Sequence, residues 1–575
     1  MKHDLVIDRR ALLRAAGAGA LGLGAAGLLP AWAHSGSHGL ASKQAATLSG
    51  EDLALTVDYN AFIVDGRTGH HAITVNGTIP GPLLRLREGQ NFRMAVTNRL
   101  REDTSIHWHG LILPFQMDGV PGVSFPGIRP GETFVYEFPI VQAGTYWYHS
   151  HSGLQEQQGH YGPIVIDPAG PDPVAYDREH VIVLSDWSFM HPHMIMARLK
   201  QEGHFFNRQQ QTLARTLSGR NPLSAEERNM FAQMRMDPSD IADVSAAGYT
   251  LLVNGHSPDE NWTGLFRPGE RVRLRIINAA AMTIFNVRIP GLPMTVVNTD
   301  GLDVRPVEVD ELQITVAETF DVIVQPSEDR AFNLIAESVD RAGMARATLA
   351  PRLGMSVAPP PLRPRPTLSM RDMGMADHGA HGGHGGHGNM NMRDRSLVPP
   401  NVKVGVGVDM IAPSPVDRTG DPGIGLDDVD HRVLTYRDLV SLEPNPDRRE
   451  PSRSVEVHLT GNMERFMWSF DGQQFSENPE PIRFERDERV RVTLVNNTMM
   501  AHPIHLHGHF FEVVNGHAPH QPRKHTVNVL PGGTLTFDLT ADAPGDWAFH
   551  CHLLFHMHAG MMRVVTVRPL DGDVA

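Results

Sequence analysis

The sequence predicts an all-β chain of three related β-sandwich domains, with a Met- and His-rich linker that lacks a core of its own. Gly 54 and Pro 43 among 575 residues suit strands and turns better than long helices. Short β-rich or alternating runs recur, at residues 53–57, 92–96, 181–184, 272–278, 455–459, 489–495 and 534–539. The plan also repeats. Arg267-Pro268-Gly269-Glu270 echoes Arg129-Pro130-Gly131-Glu132, and residues 272–278 echo residues 92–98. Repeated strand–turn–strand units of this kind suggest related sandwiches.

In chain order, residues 47–170 make the first domain, punctuated by turns at Asn76-Gly77 and Pro80-Gly81-Pro82. Residues 175–357 make the second. Within it, a polar stretch from about 190 to 240 has helical spacing and reads as an inserted helical segment or lid. Residues 358–400 form the linker. Dense proline gives way to Met370, Met373 and Met375, then to His378, His381, His384 and His387, then to Met390 and Met392. Such a composition is expected to stay disordered and to pack no core. Residues 401–575 make the third domain.

Residues 1–33 read as an export signal. Asp8-Arg9-Arg10-Ala11-Leu12-Leu13 resembles a twin-arginine motif, an apolar run follows over 15–29, and Ala31-Trp32-Ala33 resembles a cleavage site. The run is shorter than the ~20 residues that span a bilayer, so removal is expected rather than a stable membrane anchor. The mature chain is expected in a bacterial periplasm. The signal carries four basic and two acidic residues, so the formal net charge of -14 becomes about -16 without it. That balance argues against a nucleic-acid binder. A single cysteine excludes an intrachain disulfide framework, but not an oxidising compartment, because a thiol held by a metal is not free.

That cysteine lies in His550-Cys551-His552, with His556 and Met561 following. Thiolate, imidazole and thioether are the donor set of a blue-copper site. In an extended strand, His550 and His552 point one way and Cys551 the other, so one tripeptide can serve two metal centres. Three more motifs lie upstream: His107-Trp108-His109, His149-Ser150-His151 and His502-Pro503-Ile504-His505-Leu506-His507. One such pair is a weak signal, since a surface pair or a structural zinc site has the same geometry. Ten histidines, one cysteine and one methionine at this spacing leave chance negligible. His70-His71 reads as a surface pair, and Met499, Met500 and Met562 read as soft core filler first and as guides for Cu(I) second.

The four motifs resemble those of the multicopper oxidases in their three-domain form, and the resemblance covers nearly the whole mature chain. Asp409-Met410, Asp421-Pro422-Gly423 and the linker are similar, more narrowly, to the copper-resistance protein A-like oxidases. The resemblance implies three cupredoxin-like Greek-key β-sandwiches and four core copper ions. It implies a type 1 copper on His502, Cys551 and His556 with Met561 as weak axial ligand. A type 2 copper falls to His107 and His505. The two type 3 coppers fall to His109, His149 and His552, and to His151, His507 and His550. Four of these trinuclear ligands come from the first domain and four from the third, so the cluster is expected between them, with the second domain as a spacer. Asp118, eleven residues after His107, stands where the family has a proton-delivering aspartate, the role expected here; a turn residue before Gly119 is the alternative. Met557 and His558 occupy the place where the family often has a glutamate, which leaves a second proton route open.

The implied activity is one-electron oxidation of Cu(I) and of phenolic substrates, coupled to four-electron reduction of O2 to water in copper resistance. Linker thioethers suit Cu(I) and linker imidazoles Cu(II), so accessory copper capture is expected there. Expected partners are O2, the reductant and other copper-resistance proteins of the periplasm, with the chain itself a monomer. The competing reading is a copper-storage protein whose turnover is incidental.

Overall fold

The computed structural model describes residues 39–208, 210, 212–219, 223–234, 236–375 and 394–570. The export signal and the linker residues His378, His381, His384, His387, Met390 and Met392 lie outside them. Three pairs of sheets follow one another along the chain. The first pair joins a five-stranded sheet to a four-stranded one, the second six strands to five, and the third seven to five. Alternation builds each core. Asn91–Asn98 buries Phe92, Met94 and Val96 while Asn91 and Arg93 face out.

The five-stranded sheets of the first and third sandwiches carry the histidine motifs. His107–His109 pairs antiparallel with Gly144–His149, setting His107 opposite His149. His502–Leu506 pairs with Gly545–Cys551, setting His505 opposite His550 and Ile504 opposite Cys551. Register therefore brings separate motifs onto one face.

The polar stretch of the second domain forms helices Pro192–Gln201, Leu213–Leu217 and Ala225–Met234. Pro192 takes the first turn, where its missing N–H costs nothing, and Thr212 caps the second helix by accepting from Arg215 N. Among the described residues no helix is long and apolar enough to cross a membrane.

The start of the linker departs from expectation. Leu368, Met373 and Met375 are buried in one apolar cluster with Met410 and Met499. A short turn over Arg371–Met373 makes this possible. Asp372 fixes it, accepting from Ser369 N at 2.7 Å and from Arg418 at 2.6 Å. Composition failed here because the core these methionines join belongs to segments far away in sequence.

The second sandwich is more than a spacer. Lys524 of the third sandwich is fully buried, 3.0 Å from Asp300 and 3.1 Å from Glu318 of the second. Replacing Lys524 with Met would leave two buried carboxylates without their cation, a loss of about 3–5 kcal/mol. The expected outcome is a clear fall in the denaturant midpoint of unfolding; an unchanged midpoint would show that the pair does not hold the sandwiches together.

Candidate metal centre

Eight imidazoles converge between the first and third sandwiches: His107, His109, His149, His151, His505, His507, His550 and His552, all buried. His151, His507 and His550 offer ring nitrogens within 4.8 Å of one another. His507 Nε2 and His151 Nε2 stand 3.0 and 3.4 Å from His550 Nε2. On the other flank His149 Nε2 and His552 Nε2 stand 3.3 Å apart.

The nitrogens turned away from this centre are engaged. His107 Nδ1 donates to the Asp118 carbonyl at 2.8 Å, His507 Nδ1 to Asp118 Oδ2 at 2.8 Å, and His149 Nδ1 to Glu156 at 2.8 Å. His505 Nδ1 donates to the His525 carbonyl at 2.7 Å, and His550 Nδ1 to the Cys551 carbonyl at 3.0 Å. His109 Nε2 lies 3.3 Å from Thr526 Oγ1. By contrast His107 Nε2, His505 Nε2 and His109 Nδ1 are buried and have no hydrogen-bond partner. One nitrogen fixed by an oxygen and the other bare is the arrangement of metal-ligating histidines. Gly119 lets Asp118 approach. Its φ is +78°, and a Cβ there would lie 1.8 Å from the Ile106 carbonyl oxygen.

Burial first, and the neighbouring imidazoles second, push His109, His149, His151, His505, His507 and His552 well below the ordinary imidazole value. Burial lowers His550 to about 4. These rings are neutral, which is the state that binds a cation.

The second cluster lies on the other side of the same strand. Cys551 Sγ is 3.6 Å from His502 Nδ1 and 3.8 Å from His556 Nδ1, and those two nitrogens are 3.2 Å apart. Met561 is fully buried, and its carbonyl accepts from Cys551 N at 3.1 Å. Trp468 stacks on His556 with centroids 3.9 Å apart. Burial raises the Cys551 thiol far above its usual range. A thiolate in this apolar shell needs a coordinated cation to offset it. The donor set, the bare nitrogens and the buried thiol thus fit copper at both clusters.

The structure gathers the ten motif histidines and Cys551 into two clusters, with Met561 buried next to the second. It also supplies partners that no motif marked. Glu156, on a short turn after His151, holds His149, and burial raises its carboxyl well above the ordinary range. Asp243 of the second domain accepts from His556 Nε2, and burial pushes it up to about 8. Thr498 Oγ1 is 2.7 Å from His502 Nε2. These residues sit in loops or beside the helical insert, where nothing local distinguishes a buried acid from a surface one.

Sandwiches of this kind with a paired thiolate–imidazole and polyhistidine centre define a class. Models of the multicopper oxidase family match residues 56–170, 178–351 and 448–571. The chain belongs to the multicopper oxidase family, oxidoreductases with O2 as acceptor, and binds copper as cofactor. Within that family it is copper resistance protein A-like. It is 50% identical over 549 residues to the copper resistance protein A homolog of Pseudomonas syringae pv. tomato, covering 90% of this chain and 93% of that one. It is 47% identical over 589 residues to copper resistance protein A of Escherichia coli, covering 95% and 97%. The laccase from Botrytis aclada shares the fold, with a TM-score of 0.63 at 22% identity over 90% of this chain and 88% of that one.

The neutral rings make the metal-free protein sensitive to acid. Their folded values lie below the ordinary 6.5, so the unfolded chain binds more protons once pH drops beneath it. Stability present above 6.5 is then lost as pH falls toward about 4. For the imidazole contribution, the melting temperature of the copper-free protein should decline as pH falls from 6.5 toward about 4. A melting temperature indifferent to pH across that interval would contradict neutral buried rings.

Proposed function

We propose that the chain is a periplasmic oxidase of copper resistance that draws electrons from Cu(I). The observation that carries this reading is a cavity lined by Met236, Met410, Met463, Met499, Asp240 and Thr498. Thioethers with a nearby carboxylate suit Cu(I). Thr498 joins that cavity to His502, while Asp243 binds His556 three residues along from Asp240. Both imidazoles beside Cys551 are completely buried. An aromatic ring could not lie against them without displacing Trp468, whereas an ion in the cavity is one residue away. The buried Met373 and Met375 border the same apolar cluster. They extend the supply of soft ligands toward the linker, whose remaining ligands are proposed to capture further copper.

In this reading His502, Cys551, His556 and Met561 hold the type 1 ion. His107 and His505 hold the type 2 ion. His109, His149 and His552 hold one type 3 ion, and His151, His507 and His550 the other. Copper so held supplies the redox chemistry, accepting single electrons and delivering four to O2 to form water. Cys551 provides the covalent link, since its sulfur faces one cluster and its flanking peptides lead to His550 and His552. Asp118 locks His107 and His507 in the tautomers that leave Nε2 bare, and its buried Oδ1 stands 3.2 Å from His107 Nδ1. Burial holds the Glu156 carboxyl well above the ordinary carboxylate range beside His149. That carboxyl furnishes a second proton-bearing group where Met557 and His558 offer no carboxylate. Export by the twin-arginine signal and action as a monomer complete the reading.

Oxygen uptake tests it. Met410→Leu/Met499→Leu should lower kcat/KM for Cu(I) by about tenfold or more, while that for a small phenol changes by less than about twofold. Equal losses for both would remove the cavity from the account. Wild-type turnover no greater than that of Cys551→Ser would leave storage as the function.

A further inference from the structure

One hydroxyl serves three imidazoles at the edge of the polyhistidine cluster. Thr526 opens the strand Thr526–Val529, which pairs antiparallel with His502–Leu506 and sets Thr526 directly opposite His505. Residues opposite one another in such a pair turn their side chains to the same face. His505 therefore has His550 across from it on one side and Thr526 on the other. Thr526 Oγ1 stands 3.1 Å from His505 Nδ1, 3.1 Å from His525 Nδ1 and 3.3 Å from His109 Nε2. All four side chains are buried.

A hydroxyl has one proton to give and two lone pairs, so three ring nitrogens exhaust it. The role of each ring follows from its other contacts. His505 Nδ1 faces the His525 carbonyl at 2.7 Å, which can only accept, so the proton of that ring is on Nδ1 and Nε2 is free to ligate. His109 has Nδ1 buried without a partner; for that nitrogen to ligate, the proton must sit on Nε2, beside Thr526. Thr526 Oγ1 thus accepts from His109 and takes a second share of the His505 N–H. Its own proton goes to His525 Nδ1.

The hydroxyl is itself held in place. Asp300 Oδ2, from the second sandwich, accepts from His525 N and Thr526 N at 3.2 Å each and from Lys524 Nζ at 3.0 Å, so one carboxylate oxygen gathers three consecutive residues. A buried threonine in a strand needs no explanation alone, since β-branched residues suit strands. This one touches a ring of the first sandwich and a ring of the third, and is pinned by the second. We propose that Thr526 is a positioning residue of the trinuclear site, whose hydroxyl aims His505 Nε2 and His109 Nδ1 into the cluster. The proposal rests on the ligand assignment made above. There the type 2 ion has two protein imidazoles, His107 and His505, whereas the type 3 ion on His109 also has His149 and His552. Removing the hydroxyl loosens one ligand of two in the first case and one of three in the second, so the type 2 ion is the one released. His502, Cys551 and His556 do not touch Thr526 and keep their geometry.

The test titrates the full-length copper-loaded protein with EDTA while bound copper, electron paramagnetic resonance and blue absorption are recorded. Thr526→Val removes the hydroxyl and keeps the shape. It should lose the non-blue copper resonance at an EDTA concentration about 10–100-fold lower than wild type, with the blue absorption intact. Thr526→Ser keeps the oxygen and should behave as wild type. Should the first variant not fold, Thr526→Ala makes the same test with less bulk. Release at the wild-type EDTA concentration from a folded variant without the hydroxyl would overturn the proposal, as would equally early release from Thr526→Ser. Loss of the blue band in step with the non-blue resonance would mark a general structural role and overturn it too. A wild type with no separate non-blue resonance would overturn the ligand assignment itself, and this proposal with it.

Discussion

Everything at the centre of this protein depends on the alternation of side chains through His550, Cys551 and His552. An extended backbone sends neighbours to opposite faces. The thiol therefore enters an apolar pocket with His502 and His556, while the flanking imidazoles enter a polar one between sandwiches. The strand of His502–Leu506 must pair in one register to match, with Ile504 opposite Cys551 and His505 opposite His550. A slip of one residue would exchange the faces and dismantle both clusters at once.

That geometry forces many imidazoles and one thiol out of water. Neutral rings with one bare nitrogen are costly to bury unless the other is hydrogen-bonded and a cation satisfies the first. The surrounding structure meets the first condition with oxygens from turns: Asp118, Glu156, the His525 carbonyl, Thr526 and Thr498. It draws Asp243 and Asp300 from the second sandwich, which holds His556 and braces the segment of His525 and Thr526 through backbone N–H donors. The middle sandwich thereby acts on both clusters.

The same logic explains the soft side chains. Met499 reads in isolation as core filler, and Met370, Met373 and Met375 as part of a segment without a core. Folding puts them with Met410 in one apolar cluster, bordered by a cavity with an acidic wall that reaches Thr498 beside His502. Such side chains can serve both packing and the proposed capture of Cu(I), because a thioether is both apolar enough to bury and soft enough to hold that ion.

The sequence by itself marked the all-β character of the chain and the histidine and cysteine motifs that the fold gathers into two clusters. Strand alternation and ligand spacing are local properties, and four motifs with those spacings have few other uses. The family resemblance also marked Asp118, and left Met557 and His558 as an unexplained substitution. What only the tertiary structure decided comes from residues distant in sequence. Glu156, Asp243 and Thr498 become partners of His149, His556 and His502, and the first linker methionines find a core. A buried acid and a surface acid have identical local sequence signals. The difference lies in what folds over them, and that is fixed by sheet register and the docking of sandwiches rather than by neighbours along the chain.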